Sequence, residues 1–330
     1  MKLCIIGSRG HIAYVIDDLH KLPEIEVVGI CSGCEDPIDM LAVRLKEKGY
    51  TPPPFSDYLA MLDKTKPDIV CIDGPFECHA QMCIDALERN CHVFCEKPIA
   101  LTLVDLDRIK KVHSKHTHLR LSSMVGLRYT SGFLAAWECI QSGLLGKIKL
   151  INTQKSYKLG LRPEFYKNKQ TYGGTIPWVG SHAIDWIYWL GGSDFKTVYA
   201  LHDKTDNSEH GDLEIIAQCQ LLTKTGILAS VSLDYLRPNS ASTWGDDRVR
   251  IVGTQGICEV IANTATLLNK DGDVILPCRH HKTIFFDFVQ GIKGETQCLV
   301  DSKQTYDLTK ACLLARLSAE TGLLVHFDDY

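Results

Sequence analysis

No apolar run in this chain approaches the ~18 residues that a membrane-spanning helix needs. The opening residues, Met1-Lys2-Leu3-Cys4-Ile5-Ile6-Gly7, form an apolar run too short for a secretory leader and lead straight into a strand–turn pattern. There is no basic excess: 36 Lys and Arg face 40 Asp and Glu, for a formal net charge of −4, and no polybasic segment stands out. These absences argue against membranes, anionic lipid and nucleic acid as partners, and they point to the cytoplasm. No internal repeat, low-complexity stretch or Pro/Ser-rich linker is present. A second Cys-x-x-Cys pair is also missing. Cys31-Ser32-Gly33-Cys34 therefore has metal-like spacing without an answering pair, and Cys278-Arg279-His280-His281 reads as a loop, so no metal site is expected. Cys4, Cys71, Cys95, Cys219 and Cys312 lie inside apolar runs and read as small buried hydrophobes, reduced by default.

What is present is enough chain for two cores, since single cores stop growing near ~250–300 residues and this one has 330. Up to about residue 124, strand and helix patterns alternate: strand-like Lys2–Ile6, Glu26–Cys31, Asp68–Ile72, Cys91–Cys95 and Leu119–Met124, with helical His11–Leu22, Ile38–Lys48, Ser56–Lys64 (Ser56 as N-cap), Glu77–Arg89 and a helix capped by Thr102. Alternation of this kind predicts a doubly wound parallel sheet covered by helices on both faces. From 125 to 330 the pattern changes. A helix Ser131–Gln141 precedes long, partly alternating strands: Ile148–Tyr157, Lys196–Leu201, Leu213–Leu222, Gly226–Leu236, Val249–Val252 and Ile257–Val260. Turns at Thr223–Gly226 and Lys270–Asp273 suggest hairpins, so the expectation is an α+β domain with a large, open, mostly antiparallel sheet. A last helix over about 304–321 is expected to pack back on the first domain. The open sheet face suits a homodimer or homotetramer.

Chemistry-bearing residues cluster at strand ends. Cys91–Ala100 runs an apolar strand into Glu96-Lys97-Pro98, placing Lys97 where open α/β sheets bind ligands. A partly desolvated lysine there is usable as an acid/base, with Glu96 holding its ammonium. Gly7-Ser8-Arg9-Gly10-His11-Ile12 follows the first strand as a phosphate-binding turn would. The full Gly-x-Gly-x-x-Gly pattern is absent, because Arg9 stands at its second glycine and Ile12 at its third. Arg9 is itself placed to touch a phosphate. At the end of the second strand Ser32 replaces the acidic residue that would hold the ribose hydroxyls, which permits a 2′-phosphate and tilts the choice from NAD toward NADP.

This ordered set, with Asp73-Gly74-Pro75-Phe76-Glu77-Cys78-His79, Gly173-Gly174, Gly180-Ser181-His182-Ala183-Ile184-Asp185 and a closing Ser318–Gly322, resembles the glucose–fructose oxidoreductase / inositol dehydrogenase / rhizopine-catabolism (Gfo/Idh/MocA) family from Lys2 to about Phe327. The resemblance implies a nicotinamide-dependent oxidoreductase passing hydride between the cofactor and a secondary alcohol of a sugar or polyol. It implies that Lys97 lies at the reacting carbon–oxygen bond, that the Lys97–Pro98 bond is a candidate for cis, and that Pro75 and His79 line the nicotinamide side. His182 becomes a proton-transfer candidate, Asp185 a ligand of substrate hydroxyls, and Arg128 a pocket residue. Ser181 is read as the cap of the helix carrying His182 and Asp185. Tyr157 and Tyr235 either face the same cleft or simply pack. One departure is clear: where many relatives carry an aspartate four residues before the histidine, this chain has Trp178, an aromatic suited to stacking on a sugar or a nicotinamide. That departure and the incomplete glycine pattern support one alternative, a dinucleotide-binding sensor without turnover; a second alternative is a lyase- or epimerase-like enzyme that recycles a bound cofactor. Tyr306-Asp307-Leu308-Thr309-Lys310 has short-chain-dehydrogenase spacing but reads as one face of the last helix.

Overall fold

The computed structural model describes residues 1–33, 37–279 and 282–330. Cys34, His280 and His281, which belong to the two loose cysteine and histidine clusters, lie outside the described residues. The chain divides into two compact units, Met1–Gly126 with Lys282–Thr309, and Leu127–His281 with Lys310–Tyr330.

The first unit holds a six-stranded parallel sheet: β1 (Lys2–Ile6), β2 (Glu26–Cys31), β3 (Pro54–Phe55), β4 (Ile69–Ile72), β5 (His92–Cys95) and β6 (Leu121–Ser123), in the order β3-β2-β1-β4-β5-β6. Its central strands are buried on both faces, as the unbroken apolar runs of β1 and β4 require. Helices Asp39–Glu47, Tyr58–Thr65, His79–Glu88 and Leu103–His113 cover it. Thr102 caps the last of these by accepting the Asp105 N–H at 3.1 Å. The cap of Tyr58–Thr65 is Asp57, not Ser56: its carboxylate accepts the Ala60 N–H at 2.8 Å. Helix Ile284–Ile292 completes this unit, and Phe285 and Phe288 pack on Phe94 of β5 with ring centroids 5.3 and 5.1 Å away.

The expected helix His11–Leu22 is much shorter. Only Ala13–Ile16 is α-helical, followed by a 3₁₀ turn Leu19–Lys21. Most of the shortening lies at the C-terminal end, after Ile16, while at the start the Asp73 carboxylate accepts the Gly10 and Ile12 N–H groups.

The second unit is built on a nine-stranded sheet of β7 (Ile148–Tyr157), β8 (Phe195–Asp203), β9 (Ile216–Thr223), β10 (Leu228–Asp234), β11 (Gly245–Gly253), β12 (Gly256–Ile261), β13 (Thr264–Asn269), β14 (Gly272–Leu276) and β15 (Val325–His326). Its order is β14-β13-β12-β11-β7-β10-β9-β8-β15, with β7 and β10 parallel and the other pairs antiparallel. The turns foreseen at Thr223–Gly226 and Lys270–Asp273 join the hairpins β9–β10 and β13–β14. Helices Ser131–Gln141 and Ser181–Gly191 cover one face. Among the described residues no helix is long and apolar enough to cross a membrane.

Candidate active site

The first sheet reverses strand order between β1 and β4, where such sheets leave a ligand crevice at the carboxyl ends of their strands. Three glycines meet there. Gly7 has φ +79°, and a Cβ on it would lie 2.4 Å from the Gly74 Cα. Gly33, at φ +66°, would bring a Cβ within 2.8 Å of Ile6 Cγ2. Only glycine allows this approach. The outcome is a floor of bare backbone at the ends of β1, β2 and β4, ringed by half-buried Ser8, Arg9 and Ser32, and it fits the extended body of a dinucleotide.

The turn above that floor is braced from within. Gly10 and Ile12 donate their N–H groups to the two Asp73 carboxylate oxygens at 2.8 and 2.9 Å, and Arg9 donates to the Asp73 carbonyl at 2.8 Å. His11 donates its N–H to Glu96 Oε2 at 3.2 Å and sets its ring Nδ1 2.9 Å from the same oxygen. Asp73 and Glu96 are wholly buried. Burial and then the Glu96 charge push the Asp73 carboxyl up. Burial also opposes ionisation of Glu96, but His11, Lys97 and His79 together hold it below its ordinary value. Ile12 is fully buried beneath the turn.

Lys97 follows β5 through a cis peptide to Pro98, and its Nζ lies 3.7 Å from Glu96 Oε1 with the side chain only 5% exposed. His79, wholly buried, clamps this segment: Nδ1 is 2.9 Å from the Pro98 carbonyl and Nε2 is 3.0 Å from the Gly74 carbonyl. Burial lowers its pKa. A neutral ring carries one N–H, so it bonds one of the two carbonyls at a time. His79 thus ties the loop beginning Gly74-Pro75 to the lysine segment.

In the second unit, Arg128 and Asp185 pair with each other. Both are 1% exposed, with Arg128 Nε donating to Asp185 Oδ2 at 2.8 Å and the guanidinium 5.4 Å over Trp189. Asp185 shares the helix Ser181–Gly191 with His182, which is buried. Ser181 is the first helical residue and not a cap, because its hydroxyl donates to the Trp178 carbonyl at 2.7 Å. Trp178 itself is 7% exposed within a π-helical turn, Ile176–Gly180, its ring 6.3 Å from Tyr166. The rings of Tyr157 and Tyr235 are 6.4 Å apart, and the Arg162 guanidinium lies 4.7 Å over Tyr235.

Sequence reading missed three groups. Asp73 is one: an aspartate directly after an all-apolar strand was the available signal. Lys155 is another. It is fully buried on β7, bonds both Asp247 oxygens at 2.7 Å, and sits 4.5 Å from the Tyr157 ring. Burial pushes its pKa down to about 8 against the pull of Asp247. A lysine at an inward position of an alternating strand was the signal there. Third, buried Glu214 accepts from the Tyr172 hydroxyl at 2.8 Å and the Thr175 N–H at 3.0 Å, anchoring the Gly173-Gly174 segment.

A Rossmann unit followed by a large open sheet is the architecture, and the family models give the class: an NAD-binding oxidoreductase family. Residues 1–123 match the family model described as oxidoreductase family, NAD-binding Rossmann fold, and residues 133–259 match the GFO/IDH/MocA C-terminal domain. The chain belongs to the Gfo/Idh/MocA family. A solved Thermotoga maritima protein, described as an oxidoreductase by inference, is 44% identical, with TM-score 0.96 over 99% of this chain and 100% of its own. Inositol 2-dehydrogenase of Salmonella typhimurium is 29% identical over 178 residues, 53% of this chain and 49% of that one. The chain thus spans about half the length of the first curated relatives it matches. WlbA dehydrogenase from Bordetella pertussis, solved with NADH and UDP-GlcNAcA, shares the fold at TM-score 0.79 and 19% identity, covering 99% of this chain and 98% of its own.

Proposed function

We propose that this protein is a nicotinamide-dependent oxidoreductase acting on a secondary alcohol, or its ketone, in a sugar, polyol or sugar-derived small molecule. The observation that carries the proposal is Lys97: a buried ammonium held beside a buried carboxylate at the carboxyl end of β5. Hydride acceptance and donation are the chemistry a nicotinamide dinucleotide supplies when bound. In this reading Lys97 Nζ exchanges the proton of the reacting hydroxyl, Glu96 holds the ammonium, and His79 fixes the direction of the lysine segment. Gly7, Ser8, Arg9, Gly10, Ser32, Gly74 and Pro75 form the dinucleotide's bed. His182 is a second proton-transfer group. The buried Arg128–Asp185 pair orients the helix that carries His182, while Tyr157 and Tyr235 contribute substrate contacts. Inositol dehydrogenases among the relatives support a polyhydroxylated substrate; the NAD-binding family model and the NADH bound to WlbA support NAD, and nothing among the relatives supports the expected tilt toward NADP. The exposed apolar residues Leu201, Ile216 and Leu228 of the large sheet suit a second copy of the chain, in a homodimer or homotetramer.

Absorbance at 340 nm with NAD⁺ or NADP⁺ and a panel of inositols, sugars and sugar acids tests the reading. Lys97→Met should lower turnover roughly 10²-fold or more and leave dinucleotide binding intact; unchanged turnover removes the lysine from the mechanism. A second reading, a dinucleotide sensor, is favoured by one feature: Trp178, not a carboxylate, precedes His182. Cofactor binding with no turnover across the panel would select it.

A further inference from the structure

In dinucleotide-binding folds the phosphates usually rest on backbone N–H groups at the start of the first helix. Here the N–H groups of Arg9, Gly10, His11 and Ile12 all donate inward, to the Asp73 carbonyl, to the Asp73 carboxylate and to Glu96. The helix beyond them, Ala13–Ile16, is a single turn. Two buried acidic side chains therefore take the N–H donors that a pyrophosphate would otherwise find. The cation borne by the turn is Arg9, whose side chain is 14% exposed and whose Nη1 lies 3.8 Å from Glu77 Oε2 on the loop after β4.

We infer that phosphate recognition in this chain has passed from the backbone to the Arg9 guanidinium, and that Glu77 competes with the ligand's phosphate for it. A guanidinium binds a phosphate through charge-assisted, often bidentate hydrogen bonds, so it can replace lost N–H donors. The inference rests on the reading that the crevice takes a dinucleotide.

Titration of NADH and NADPH into the full-length protein, followed by calorimetry and nicotinamide fluorescence, tests it. Arg9→Gln should weaken binding about tenfold or more, and Arg9→Lys should recover part of the loss. Glu77→Gln should tighten binding about threefold, and the gain should vanish in the Arg9→Gln/Glu77→Gln double variant, because it acts through Arg9. An Arg9→Gln protein that binds within twofold of wild type overturns the inference while the dinucleotide reading stands. A Glu77→Gln gain that survives loss of Arg9 overturns the competition. Wild-type protein that binds neither nucleotide overturns the dinucleotide reading and the inference with it.

Discussion

Asp185→Asn removes one charge from a pair that water scarcely reaches. Arg128 and Asp185 are each 1% exposed, so neither can fall back on solvent when its partner is neutralised. An exposed ion pair contributes about 0–1 kcal/mol. Removing one partner of a buried pair costs about 3–5 kcal/mol, chiefly because it strands the other charge. Asparagine keeps the size of aspartate and one acceptor oxygen for Arg128 Nε, so the low end, about 3 kcal/mol, is expected. Arg128→Met/Asp185→Leu, which strands no charge, should cost about 1 kcal/mol or less. The assay is urea unfolding followed by tryptophan emission. Trp137, Trp178, Trp186, Trp189 and Trp244 all lie in the second unit, so the signal reports that unit directly. Arg128 also lies over Trp189, so its release should register in the emission itself. An Asp185→Asn protein within 1 kcal/mol of wild type, or a double variant worse than the single, would refute the claim that desolvation governs this pair.

Two further outcomes follow from particular residues. Lys155 is held down to about 8 in the folded protein by burial, against about 10.4 in an unfolded chain. Between those values the unfolded chain binds the extra proton, so wild-type stability should rise relative to Lys155→Met as pH goes from about 8 to about 10.4, by up to about 3 kcal/mol; urea midpoints measured across that window check it, and a constant difference would sink it. Gly7→Ala should destabilise the first unit by roughly 2–5 kcal/mol, since it adds left-handed strain to a backbone clash at 2.4 Å. Gly49→Ala, at φ +88° with nothing within 4 Å, should cost only about 1 kcal/mol, and circular-dichroism melts compare the two.

Much of the fold was legible because its signals are local. The unbroken apolar runs of β1, β4 and β5 could only be buried parallel strands, and helix Ser131–Gln141 falls on the predicted residues. The short β3 and the exposed strand β14 carry too little hydrophobic contrast to declare themselves. The truncated helix after β1 was illegible for another reason. Its periodicity is helical, yet the chain leaves the α-helix after Ile16 for a 3₁₀ turn at Leu19–Lys21, a stop that no local residue pattern marks. At the candidate site, residue identity indicated chemistry but not pairing. That Asp185 faces Arg128, 57 residues away in the chain, has no local signal. Nor does anything near His79 in the sequence show that its ring lies between the Pro98 and Gly74 carbonyls. Lys155 offered only the oddity of a cation facing inward.

The return of Lys282–Thr309 to the first unit bears on how the polypeptide matures. Phe94 gains its cover from Phe285 and Phe288, residues that leave the ribosome long after β5. At about 5–20 residues per second, the wait between residue 126 and residue 309 is roughly 10–40 s. Throughout that interval the nascent sheet presents an aromatic patch with no roof, a surface for chaperones to shield. A fragment cut after Gly126 would remain in that unfinished condition permanently.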